Sequence, residues 1–89
     1  MTSSVLEGLQ HDQLALSVAR ALALANRVAA AEGMNLAEAR VAITEEPCDT
    51  GRCWQIYYGP REDVNTRGGD LFVYVDRDGG AVRRVLHGQ

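Results

Sequence analysis

Cys48 and Cys53 are the residues best placed to do chemistry in this chain, because they flank Asp49-Thr50-Gly51-Arg52, a stretch that a hairpin brings within disulfide range. The compartment decides their state: free thiols in a reducing cytoplasm, a disulfide after export. They do not make a metal centre by themselves. A zinc site wants four ligands, and His11 and His87 stand at opposite ends of the chain with no ligand-like spacing. Nucleophilic catalysis would need Cys or Ser beside a histidine and an orienting acid, and His87 is the only base near the second half of the chain. A histidine so close to a C-terminus is ordinarily exposed or hydrogen-bonded. Gly68-Gly69 and Gly79-Gly80 lack the strand-to-helix setting of phosphate-binding loops and read as turns. The residues therefore predict a non-enzyme with no cofactor and no metal.

The elements that hold these residues fall into two halves. From Asp12, an N-cap type, the side chains Leu14, Val18, Ala21, Leu22, Ala25, Val28 and Ala29 recur on one side at helical spacing, with Leu24 at the margin. Gly33 follows as a left-handed stop, which predicts a helix of roughly 20 residues. Val5, Leu6 and Leu9 allow an extension back to Ser3 or Ser4, against which Gly8 and His11-Asp12 argue. Leu9, Leu16, Ala23 and Ala30 recur every seven residues on another side. They read either as a seam for a second subunit or as the ordinary preference of helices for alanine. Residues 35–39 add one short turn.

After residue 40 the period switches to that of strands, over 40–46, 53–58, 70–76 and 81–86. Residues 47–52 form the first turn, and Asp78-Gly79 predicts a tight two-residue hairpin between the last two strands. The fold class is α+β: one long amphipathic helix on a four-stranded antiparallel meander, a single domain over 1–89.

One helix covers one face of such a sheet, so the other meets water or a second molecule. Trp54, Ile56, Tyr58, Leu71, Val73 and Val75 are assigned to the helix side by alternation. Tyr57, Phe72 and Tyr74 then lie on the open face with Arg83, and these are residue types over-represented at binding hot spots. Cross-strand packing of the aromatics is the competing reading. Glu45, Glu46 and Asp49, with Glu62 and Asp63 in the following loop, would lie at the sheet's edges or ends, as solvated charge or as an acidic rim for a basic partner.

Composition narrows the partners. The nine basic residues are all arginine against twelve acids, a formal charge of −3, and they are interspersed with acids as in Arg61-Glu62-Asp63. Nucleic acid is therefore not the expected partner. With 89 residues, 46% hydrophobic and 24% charged, the chain is expected to be soluble and globular with a modest core. The apolar run over 14–31 is interrupted by Ser17, Arg20, Asn26 and Arg27, so no membrane span is expected. Met1-Thr2-Ser3-Ser4 lacks the start of a secretory signal, which makes the cytoplasm the expected location.

The second half resembles a known group. Trp54-Gln55-Ile56-Tyr57-Tyr58, a polar loop, Arg67-Gly68-Gly69-Asp70-Leu71-Phe72-Val73-Tyr74-Val75-Asp76, Gly80-Ala81-Val82 and Leu86-His87-Gly88-Gln89 resemble small bacterial immunity proteins of polymorphic toxin systems, in particular the group named for a nuclear-transport-factor-2-like fold. The likeness covers most of 13–89. The chain is shorter than a full cone-shaped fold of that type, and Gly79-Gly80 replaces its usual acidic or Thr-Gly hairpin tip. Related immunity proteins and modules similar to the PepSY type fit almost as well. The resemblance implies a non-catalytic protein that neutralises a cognate toxin by stoichiometric contact. The alternative is a self-associating binding or chaperone-like module, a homodimer through the open face or the Leu9/Leu16 seam.

Overall fold

The structure is a computed structural model and describes residues 12–60 and 69–88. Helix α1 spans Gln13–Ala31. Its start is set by the Asp12 carboxylate, which accepts from the Ala15 N–H at 3.0 Å. Its end is set by Gly33, whose φ of 90° turns the chain so that the Gly33 and Met34 N–H groups donate to the Ala30 and Ala29 carbonyls at 3.0 and 2.9 Å. A single 3₁₀ turn, Leu36–Glu38, is capped by the Asn35 side chain and leads into the sheet.

The sheet consists of β1 (Ala39–Cys48), β2 (Gly51–Pro60), β3 (Leu71–Asp76) and β4 (Val82–His87), antiparallel in the order β1-β2-β3-β4. One helix on a four-stranded meander is thus the architecture, as the periodicity predicts. The helix side of the sheet carries three cross-strand rows: Val41-Tyr58-Leu71-His87, Ile43-Ile56-Val73-Val85 and Glu45-Trp54-Val75-Val82. In each row the two middle residues are buried under α1. The helix meets them with Ala21, Ala25 and Ala29, small enough for close approach, while Val18, Leu22, Leu24 and Val28 pack at the sides.

Three expectations are corrected. Leu14, assigned to the core face, is 51% exposed. The first turn of α1 overhangs the β3–β4 connection, where Gln13, Leu14, Ser17, Arg20, Arg77 and Asp78 line a shallow hollow. The β1–β2 turn is tighter than 47–52, because pairing continues to Cys48 opposite Gly51 and leaves Asp49-Thr50 as the turn, with Gly51 at a φ of 127°. The β3–β4 connection is longer than a two-residue hairpin. It spans 77–81 because the Asp76 carboxylate accepts from the N–H groups of Asp78 and Gly79, both at 2.9 Å, which coils the backbone before Gly80 turns it. By length and composition alone α1 is apolar enough to cross a bilayer, despite its polar interruptions, a property that core helices of soluble proteins share. In the fold two of those interruptions face the sheet's aromatics, while Arg20 and Arg27 are exposed: Ser17 Oγ accepts from Trp54 Nε1 at 2.8 Å, and Asn26 Oδ1 accepts from the Tyr58 hydroxyl at 2.6 Å. Burial pushes the Tyr58 phenol up to about 12.

Leu9 of the second helical seam lies outside the described residues; Leu16 is half-buried, and Ala23 and Ala30 are exposed.

Candidate functional site: the open face of the sheet

The face turned away from α1 also reads as rows. Ala42-Tyr57-Phe72-Leu86 and Thr44-Gln55-Tyr74-Arg84 each cross all four strands, and Glu46-Cys53-Asp76 crosses three. The first row is apolar. The Tyr57 and Phe72 rings meet at 5.1 Å between centroids, tilted by 46°. Tyr57 leans along its strand over Gly59, where any Cβ would collide with the ring, and its hydroxyl donates to Asp70 Oδ1 at 3.1 Å. Glycine at 59 is what lets this ring lie flat. Leu86, at the outer edge of the row, is 41% exposed.

The second row is a relay of polar contacts. Thr44 donates to Gln55 Oε1 at 3.4 Å, Gln55 Nε2 donates to the Tyr74 hydroxyl at 2.6 Å, and the Arg84 guanidinium lies over the Tyr74 ring at 5.9 Å. Both aromatic rows are therefore held in place by neighbours before any partner arrives, which lowers the side-chain ordering that binding would require.

The third row closes one end of the face. Cys48 and Cys53 are joined in a disulfide, with Cα atoms 5.9 Å apart, and Cys53 is fully buried. This departs from the free thiols expected of a reducing cytoplasm. Asp76 beside it accepts from Gly79, Thr50, Asp78 and Arg83, and the backbone N–H of Gly79 is the largest of the influences that hold its carboxyl down to about 2.

A register shift between Tyr74 and Val75 leaves Arg83 as the extra residue of a bulge. Arg83 donates through Nη2 to Asp76 Oδ2 at 3.2 Å. The bulge puts Arg83 and Arg84 together with Pro47, Cys48, Asp49, Thr50 and Tyr74 around a concavity of about 360 Å³.

Of the residues singled out in the sequence, Tyr57, Phe72, Tyr74 and Arg83 are on this face, and Glu46 and Asp49 border its disulfide end. Glu45 is not with them. It lies on the helix side, where it pairs with Arg77 and, at 3.7 Å, with Arg52, while Arg77 covers the Trp54 ring at 5.3 Å. Glu62 and Asp63 lie outside the described residues. His87 pairs with Glu32 at the end of α1, at 3.2 Å. Among the described residues, no three His, Cys, Asp or Glu side chains gather as metal ligands would.

Gln55, Arg84, Asp70 and Asp76 are functional residues that the reading of the sequence misses. Asp76 had a signal, since an Asp ahead of Asp78-Gly79-Gly80 suits an Asx turn. Arg84 had none, because strict alternation over 81–86 gives no sign of the bulge. Compared with known protein families, curated proteins and solved structures, the chain matches none.

Proposed function

We propose that this chain is a non-catalytic binding protein that docks a partner protein on the open face of its sheet, and that the partner is a toxin it neutralises. The observation that carries the docking part is the pre-ordered Tyr57-Phe72-Tyr74 surface, which no element among the described residues covers. The toxin part draws on the resemblance of the second half to small immunity proteins. Glu46 and Asp49 at the disulfide end would steer a cationic partner, with the aromatics contributing most of the affinity.

The test is capture on the tagged full chain from a lysate of its own organism, followed by expression of the captured protein with and without this chain. A stoichiometric partner that kills cells alone and is harmless alongside this chain is the expected result. Recovery of the chain only as its own dimer, from cells that express its genomic neighbours, would replace this reading with a self-associating module.

A further inference from the structure

We propose that the concavity between the disulfide-closed turn and the Arg83-Arg84 bulge is a carboxylate-binding site, which takes an aspartate or glutamate side chain of the docked partner. The inference rests on the open face being the docking surface and adds what the partner must present there. Arg83 and Arg84 both line the concavity. Arg83 is anchored from behind by one Nη2 contact to Asp76, and among the described residues no other oxygen accepts from its guanidinium. Arg84 is braced by the Tyr74 ring, and among the described residues no oxygen accepts from it. Planar, oriented guanidinium groups with free N–H groups are matched to the fork of a carboxylate. Thr50 Oγ1 lies 3.5 Å from Cys48 Sγ and helps hold the Asp76 carboxyl low, so the turn is tied to the same network that fixes Arg83.

Charge decides between ligands. Arg83 and Arg84 bring two positive charges, while Asp76 behind and Asp49 on the lining bring two negative ones. A balanced site offers no excess positive charge for a dianion such as phosphate, so recognition of a carboxylate rests on the geometry of the two guanidinium forks. The bulge is what makes the site, since regular pairing would send Arg83 to the helix side.

The test uses the ¹⁵N-labelled full chain, titrated at constant ionic strength with N-acetyl-glutamate α-amide, with its neutral glutamine analogue and with inorganic phosphate. The expected result is saturable shifts of the Arg83 and Arg84 Nε–H signals and of the Thr50 amide, with the glutamine analogue about tenfold weaker, as loss of a charge-assisted bond implies. Arg84→Gln should weaken binding of the glutamate probe by a similar factor, and Asp49→Asn should tighten it. Equal shifts from both analogues, tighter binding of phosphate, or no change in Arg84→Gln would overturn the assignment. The titration needs no partner, so a negative result leaves the docking reading standing, and failure to capture a toxin leaves the carboxylate site standing.

Discussion

On the helix side of the sheet Tyr58, Ile56 and Val73 lose all contact with solvent, whereas their neighbours in the chain, Tyr57, Gln55 and Phe72, keep part of their surface. The same strands thus carry two kinds of order. Under α1 it comes from burial against an alanine stripe, supported by two hydrogen bonds that Trp54 and Tyr58 donate to Ser17 and Asn26 of the helix. On the open face it comes from side chains holding one another across strands: ring on ring, amide to phenol, guanidinium over ring. The helix also covers only the middle strands, so Val41 on β1 and Val82 on β4 remain 43% and 38% exposed on the covered side. Burial contributes stability on one face, and pre-ordering leaves the other available for recognition.

The contrast is sharpest in large-to-small substitutions. Ile56→Ala should destabilise the chain by about 3 kcal/mol in urea unfolding, while Tyr74→Ala, on the other face of the same sheet, should lose no more than about 1 kcal/mol. Similar losses from the two would erase the distinction. Next in size is the disulfide: reduction, or joint replacement of Cys48 and Cys53 by serine, should remove about 2 kcal/mol, the value expected for so short a closed loop. Because the disulfide borders the open face, its removal should broaden or shift the amide signals of Thr50 and Arg83 and leave those of Ala25 and Tyr58 unchanged.

Smaller effects separate the two kinds of hydrogen bond. Ser17→Ala leaves Trp54 Nε1 without its acceptor against the core and should cost about 1 to 2 kcal/mol. Thr44→Val, at the exposed end of the open-face relay, should stay within about 0.5 kcal/mol because Gln55 can turn to water. The last prediction concerns acid. An unfolded aspartate titrates near 3.9, about two units above Asp76 in the fold, so the unfolded chain takes up the proton first. The stability this carboxylate contributes is complete above about pH 4 and is lost as pH falls toward 2. Melting temperatures of Asp76→Asn and the parent chain should therefore converge over that interval, and a constant gap would contradict the assigned role.

How much of this was legible in the sequence follows from which interactions are local. The ends of α1 and the alternation of β2 and β3 depend on near neighbours, and Asp12, Gly33 and the Trp54-Ile56-Tyr58 series announce them. The placement of Glu45 against Arg77 and the bulge at Arg83 depend on registers between strands, which a single chain read in order does not display. Ser17 and Asn26 stood out only as interruptions of an apolar run, and their use as partners for Trp54 and Tyr58 becomes visible once the helix is laid on the sheet. The disulfide was geometrically open from the spacing of Cys48 and Cys53, and expectation about the compartment weighed against it.

The claim that one face is structural and the other recognises a partner is tested most directly by the affinity of the captured partner for two paired variants, Tyr57→Ala with Tyr74→Ala, and Leu14→Ala with Arg20→Ala on exposed positions of α1. A loss of about 30-fold or more for the open-face pair, with the helix pair within about threefold of the parent chain, is the predicted result. The reverse order, with the open-face pair binding as the parent chain does, would contradict the account and move the interface to the helix.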